Sequence, residues 1–415
     1  MFEPRSLSLM NKTHLFLFLG LVFLGTEAFA EEKLKYRTDA NQDKTLSWFQ
    51  PVPGQFPPED SAHYVSGDLI RIDHPERKLT IRVDRNDSQS RALFDYPLDA
   101  TMLPYGTVYY NNSPAALQDI PLGTHLHGWF YERPDGEEKH WTLRNGQLHN
   151  DKGERASPEV DFTRCLRLED DFSYYARRKQ IWKIDEVDLT KNKLTATPQE
   201  DGKPIGKPKL FDLNSATVVF LGNGFGTLKS IEPGQLIQMN LTWATLYGPG
   251  RVFQIWLDEE SQTLATGRQL ERNRNHIRER GIPGWVDAVD DEKQIVTMTF
   301  FDGIDPALFK DFGIIVPEPL GWPTSGGAKD DLAPKGTIAV ARECLMTYDP
   351  VNDRKGGNIL KTTKVPVRPG CSGVQIQVEC GMLLEGYRPT KVVRFYPACW
   401  TVVALPREEQ FHGRE

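Results

Sequence analysis

The sequence predicts a mainly β protein made of three tandem, related small antiparallel barrel or sandwich domains with a connecting helix. Three observations carry that reading. First, one hairpin pattern recurs in GDLIRIDHPERKLTIRV (67–83), RKQIWKIDEVDLTKNKLTATP (178–198) and IPGWVDAVDDEKQIVTMTF (282–300). Each copy is a strand ending in an apolar residue plus Asp (Ile72-Asp73, Ile184-Asp185, Val289-Asp290), then a polar turn, then an alternating strand. Second, a glycine bend precedes a later strand in every copy, at Gly123, Gly234 and Gly370. Third, the marks fall roughly 110 residues apart, the size of a small domain and too long for a solenoid repeat.

Each element can be justified in chain order. From Met10 the chain reads MNKTHLFLFLGLVFLGTEAFA, with Lys12 ahead of an apolar stretch and a small-x-small ending at Ala28 and Ala30. That is the layout of a secretory signal peptide, so residues 1–30 are expected to be removed. Residues 31–60 are polar and then proline-rich, and read as an extended leader rather than a core element. Domain 1 spans 61–175 with a polar insertion at about 132–160, domain 2 spans 176–260, and domain 3 spans 282–405 before a polar tail, 406–415. Within them LFDYPLDATMLPYG (93–106) parallels LFDLNSATVVFLG (210–222), and LQDIPLGTHLHGWFY (117–131) parallels LKSIEPGQLIQMNLTW (228–243), with VPVRPGCSGVQIQVE in the same place in the third copy. FTRCLRLEDD, RVFQIWLDEE and KVVRFYPACW close the copies. Residues 261–281 read as the connecting helix, with Ser261 as cap, Leu264, Leu270 and Ile277 at helical spacing, and Gly281 as stop.

Several of these strings, SAHYVSGDLIRIDHPERK, QDIPLGTHLHGWFY, RLEDDFSYYAR and TYDPVNDRKGGNIL among them, resemble a family of uncharacterised exported bacterial proteins over nearly the whole chain after the leader. The hairpin followed by a loop and a glycine-initiated strand is similar to small OB-like barrels. The resemblance implies export and repeated OB-like barrels, and no activity or catalytic residue.

Charge and cysteine content narrow the function. Among 415 residues, 57 acidic side chains outnumber 50 basic ones for a net charge of −7, which argues against nucleic acid as the main partner. Beyond the leader no apolar run is long enough to cross a membrane as a helix. The expected location is therefore periplasmic, cell-surface or secreted. Of the five cysteines, Cys165, Cys344, Cys371, Cys380 and Cys399, none forms a CxxC pair. An oxidising compartment permits a disulfide, and Cys380 with Cys399 is the candidate, as the two ends of a hairpin folded about Tyr387 to Thr390.

One stretch invites a chemical reading. In PLGTHLHGWF (121–130), aligning Gly123 with Gly234 places Leu126 inward and turns His125 and His127 outward, about 6.7 Å apart along the strand. They read either as outward polar residues or as ligands of a transition metal, with a third ligand from His63, His74, His140 or His149. The acidic runs Glu169-Asp170-Asp171 and Asp258-Glu259-Glu260 read as helix starts that meet the positive end of the dipole. Arg268, Arg272, Arg274, Arg278 and Arg280 read as a solvated helix face, and Trp256 and Trp285 as core. No GxSxG, HExxH, P-loop or strand-linked GxGxxG motif occurs, so no catalytic residue is assigned. The sequence thus points to a non-catalytic binding or structural protein of the cell envelope whose partner is an envelope protein, a polysaccharide or a small molecule. A metal-dependent enzyme or metal-binding protein centred on His125 and His127 is the alternative.

Overall fold

The three opening hairpins share their construction down to single hydrogen bonds. Strand His63–Asp73 pairs with Lys78–Val83, Gln180–Asp188 with Lys193–Glu200, and Ile282–Asp290 with Ile295–Phe301. Each first strand ends in an aspartate whose carboxylate accepts a backbone N–H three residues on: Asp73 from Glu76 (3.2 Å), Asp188 from Lys191 (3.0 Å) and Asp290 from Lys293 (3.0 Å). The turn closes through Arg77, Asn192 or Gln294, all at positive φ. Each first strand also carries a bulge, after Leu69, Ile184 and Val286. The middle copy's mark is therefore Val187-Asp188 rather than the expected Ile184-Asp185, because Asp185 is the extra residue of the bulge.

The bulge bends the first strand so that it also reaches the fourth. Gly123 N–H donates to Leu69 O (2.7 Å) and Leu69 N–H to Thr124 O (2.9 Å). Gly234 and Gln235 make the same pair with Ile184, and Thr390 and Lys391 make it with Val286. The third counterpart of Gly123 and Gly234 (both φ 90°) is thus Thr390 (φ 72°), not Gly370. Strand Val392–Pro397, expected to close the third copy, is its fourth strand, whereas Cys371–Glu379 pairs with the second strand, Ile295–Phe301.

In the first copy the second strand pairs with the third (Pro97–Tyr110), which runs parallel to the fifth (Phe162–Asp170). The fifth pairs with the fourth (His125–Glu132), and the fourth with the first. That circuit is a closed five-stranded barrel of OB-like order. The second copy repeats it with Lys209–Asp212 continuing into Val218–Leu221, then Leu236–Thr242 and Arg251–Trp256. In the third, Lys335–Arg342 lies beside the fourth strand but antiparallel to it, and Lys355–Lys364 joins it to Cys371–Glu379. Each barrel has its own apolar centre, around Leu69, Leu126 and Leu168, around Ile184, Ile237 and Ile255, and around Met298, Ile376 and Phe395. Trp256 and Trp285 are buried as expected.

These features come from a computed structural model that describes residues 36–38, 45–84, 97–134, 162–243, 250–310, 335–342, 346–347, 355–381, 387–401, 403 and 405–409. Residues 1–30, expected as a signal peptide, most of the polar insertion with His140 and His149, and Cys344 lie outside them. Among the described residues no helix is long and apolar enough to cross a membrane.

The connecting helix, Glu259–Arg280, starts two residues earlier than expected. Its cap is Asp258, whose carboxylate accepts Ser261 N–H at 2.7 Å, and it ends at Gly281. It touches more than the barrels it links: Thr266 and Gln269 bond Asn111 O and the Asp119 carboxylate of the first barrel (both 2.9 Å), while Ile277 enters the third core. Its arginines are correspondingly more than a solvated face. Arg272 faces Asp119, Arg274 pairs with Asp305, and buried Arg280 holds Glu409 through two bonds of 2.6 and 2.7 Å. Both flanking segments are also tighter than their composition suggests. Trp48 of the proline-rich leader packs into the first core, Phe56 packs against Tyr105 and Trp285, and Glu409 of the polar tail is buried.

Candidate functional site

The fourth strand of the first barrel has the register that the sequence indicates. Leu126 is fully buried in the barrel core, and His125 and His127 project from the opposite face. That face is not open. The short helix Asp171–Ala176 and the second barrel's fourth strand cover it, leaving His125 and His127 only 5% and 6% exposed.

The third member of the cluster is Asp171. Its Oδ1 lies 2.8 Å from His125 Nδ1 and 3.1 Å from His127 Nε2, and its Oδ2 accepts Leu241 N–H at 2.9 Å. His125 Nε2 is 2.9 Å from Asp84 Oδ2, which also accepts the Ser66 hydroxyl (2.8 Å). His127 Nδ1 is 2.7 Å from the Tyr64 hydroxyl, and its ring stacks on Tyr174 at 3.7 Å. Burial works against a charge on His125, but the Asp171 and Asp84 carboxylates outweigh it and raise its pKa well above the ordinary value. Burial lowers that of His127, which Asp171 only partly opposes. The two imidazoles overcome the burial of Asp171 and hold its carboxyl well below the usual range.

Among the described residues, neither His63 nor His74 takes the place of the third ligand. His63 Nδ1 lies 2.7 Å from Thr38 O with its ring stacked on Phe162, and His74 faces Glu409. His140 and His149 lie outside the described residues. Asp171 escaped notice because it sits in a run read as a helix start. That role belongs to Asp170, the cap, whose carboxylate accepts Ser173 N–H at 2.9 Å. A cap needs one acid, so the second carboxylate of the run was the available signal. Glu169, the third of the run, is buried among Arg167, Arg177 and Arg178.

The same region joins the first two barrels. Asn240 donates to Asp170 Oδ2 (2.8 Å) and accepts Phe172 N–H (2.9 Å), and Tyr110 donates to Gln254 (3.0 Å). Asp68 pairs with Arg82 and accepts Trp243 N–H at 2.9 Å, while the Arg82 guanidinium stacks on the Trp243 ring.

A second feature of the first barrel is a groove of about 630 Å³. Its floor is the second and third strands at Lys78, Leu79, Thr80, Asp99, Ala100 and Thr101. Its walls are the turn at Asp73, His74 and Pro75, and Arg133, Thr163 and Arg164 on either side of the insertion. Arg71, Lys78, Arg133 and Arg164 contribute four basic groups against the carboxylates of Asp73 and Asp99. Arg71 is held in place by Thr80 and Asp99, each at 3.2 Å.

No family model matches this chain, nor does any curated protein or solved structure.

The first arm of the hairpin expected between Cys380 and Cys399 falls on residues 382–386, outside the described residues, while its second arm is the strand Val392–Pro397. Cys380 is buried in the third core and Cys399 is exposed.

Proposed function

We propose that the protein is an exported, non-catalytic binding component of the cell envelope that holds an acidic oligosaccharide in the groove of its first barrel. The observation that carries this reading is where the groove lies. It occupies the face of strands two and three between the loop after strand one and the loop between strands four and five, the surface on which OB barrels hold oligosaccharides and oligonucleotides. Four basic groups against two carboxylates suit an anionic ligand whose hydroxyls can bond the remaining polar groups of the lining. Export to the cell envelope, part of this same reading, sets the oligosaccharide ahead of a nucleic acid. Export is supported by the signal-peptide layout of residues 1–30 and by the likeness of the sequence strings to exported bacterial proteins.

Calorimetric titration with a short oligogalacturonate, beside a neutral cello-oligosaccharide of equal length, tests the proposal. The acidic oligomer is expected to bind more tightly, with affinity falling as salt rises. Lys78→Glu, at an exposed position, is expected to weaken binding about tenfold or more. No binding of the acidic oligomer, or binding unchanged in the folded variant, overturns it.

A further inference from the structure

We propose that His125, His127 and Asp171 are the three protein ligands of a divalent transition metal of the zinc class, a site separate from the groove. The donor atoms of the three residues lie within 4.8 Å of one another, with Asp171 Oδ1 2.8 and 3.1 Å from the two ring nitrogens. Ligand atoms bound at about 2.0–2.2 Å in a tetrahedral zinc site stand about 3.3–3.6 Å apart, so shifts of about 1 Å or less bring this set around an ion.

The surroundings carry the inference beyond spacing. Each ligand's other polar atom is already fixed by a partner. His125 Nε2 meets Asp84 Oδ2, itself held by Ser66. His127 Nδ1 meets the Tyr64 hydroxyl, and Asp171 Oδ2 accepts Leu241 N–H. Outer partners of this kind orient metal-bound imidazoles and carboxylates and set which nitrogen faces the ion. The cluster is also special to one copy of the repeat. By the shared corner hydrogen bonds, His125 and His127 correspond to Leu236 and Gln238 in the second barrel and to Val392 and Arg394 in the third. The fold thus needs no histidine here.

Donor chemistry sets the class of ion. Two imidazole nitrogens and one carboxylate oxygen suit zinc, cobalt, nickel or ferrous iron, whereas calcium and magnesium want a shell of oxygens. Asp84 and Tyr64, which partner the two imidazoles, are the more exposed groups around the cluster. Coordination replaces the ring protons that face Asp171, so loading releases protons to solvent.

Cobalt titration of chelator-treated, full-length protein tests the site. One equivalent of Co²⁺ is expected to bind with visible absorption bands, and His127→Gln and Asp171→Asn are expected to weaken binding by more than about 100-fold. His74→Gln, outside the cluster, is expected to leave it unchanged. Zinc added to the unaltered chain is expected to shift the ring NMR signals of two histidines, a readout that needs no variant to fold. No band at 100-fold excess cobalt, the same band in folded His127→Gln, or zinc shifts at no histidine pair overturns the site, whatever the outcome for oligosaccharide.

Discussion

Gly234→Ala isolates what the corner before the fourth strand demands of its residue. Gly234 has φ 90° and donates its N–H to Ile184 O at 2.7 Å, so the chain cannot relax there without losing the bond that joins strands one and four. A Cβ at this position meets no atom within 4 Å, which removes steric clash from the effect. What remains is the left-handed backbone, about 1–2 kcal/mol for a side-chain-bearing residue, offset by about 0.4–1 kcal/mol from the stiffer unfolded chain. The midpoints of those ranges give a net loss of about 0.8 kcal/mol. The third barrel supplies the reciprocal case. Thr390 stands at the matching corner with φ 72° and is exposed, so Thr390→Gly should gain about 0.5–1 kcal/mol by the same balance. Urea unfolding followed by tryptophan fluorescence reads both, with Trp182 and Trp256 buried in or beside the second barrel. A Gly234→Ala protein as stable as the parent, or a Thr390→Gly protein less stable than it, refutes the equivalence of the two corners.

Leu126→Ala empties a fully buried position in the first core and should lower stability by about 2–5 kcal/mol in the same unfolding assay. Asn240→Ala strips Phe172 N–H of its acceptor and Asp170 of a donor where the first two barrels meet; a loss of about 2–4 kcal/mol is expected in calorimetric melting. Glu409 is buried, yet its bonds to His74 and Arg280 overcome that and bring its pKa down to about 2. A depressed carboxyl stabilises the fold above its unfolded value near 4.5 and loses that contribution as pH falls toward 2. Stability measured between pH 6 and pH 2.5 should therefore fall less steeply in Glu409→Gln than in the parent.

Some of this architecture is written plainly in the chain and some is not, for identifiable reasons. Asp73 and Asp290 mark hairpin turns, and Leu126 reads as inward, because alternation and a turn-capping aspartate are local signals. The middle copy holds two apolar-Asp pairs three residues apart, and only the bulge after Ile184 shows that Asp188 is the turn residue. Gly370 resembles Gly123 in sequence, yet the matching corner belongs to Thr390, a threonine held at positive φ at a cost in strain, so there is no glycine to find. Trp48 and Glu409 lie in stretches of low hydropathy, and their burial depends on partners far along the chain. The histidine pair was legible at its own strand. Its carboxylate is signalled only by a second acid beside the cap Asp170, because Asp171 reaches the pair through the close packing of a short helix against the barrel.

Hydrogen–deuterium exchange with and without saturating oligogalacturonate tests the binding groove most directly. Slowed exchange is predicted in residues 71–80 and 97–101, with the second barrel's strands, 180–256, unchanged. Protection confined to the second or third barrel, or no change in those two segments, contradicts it.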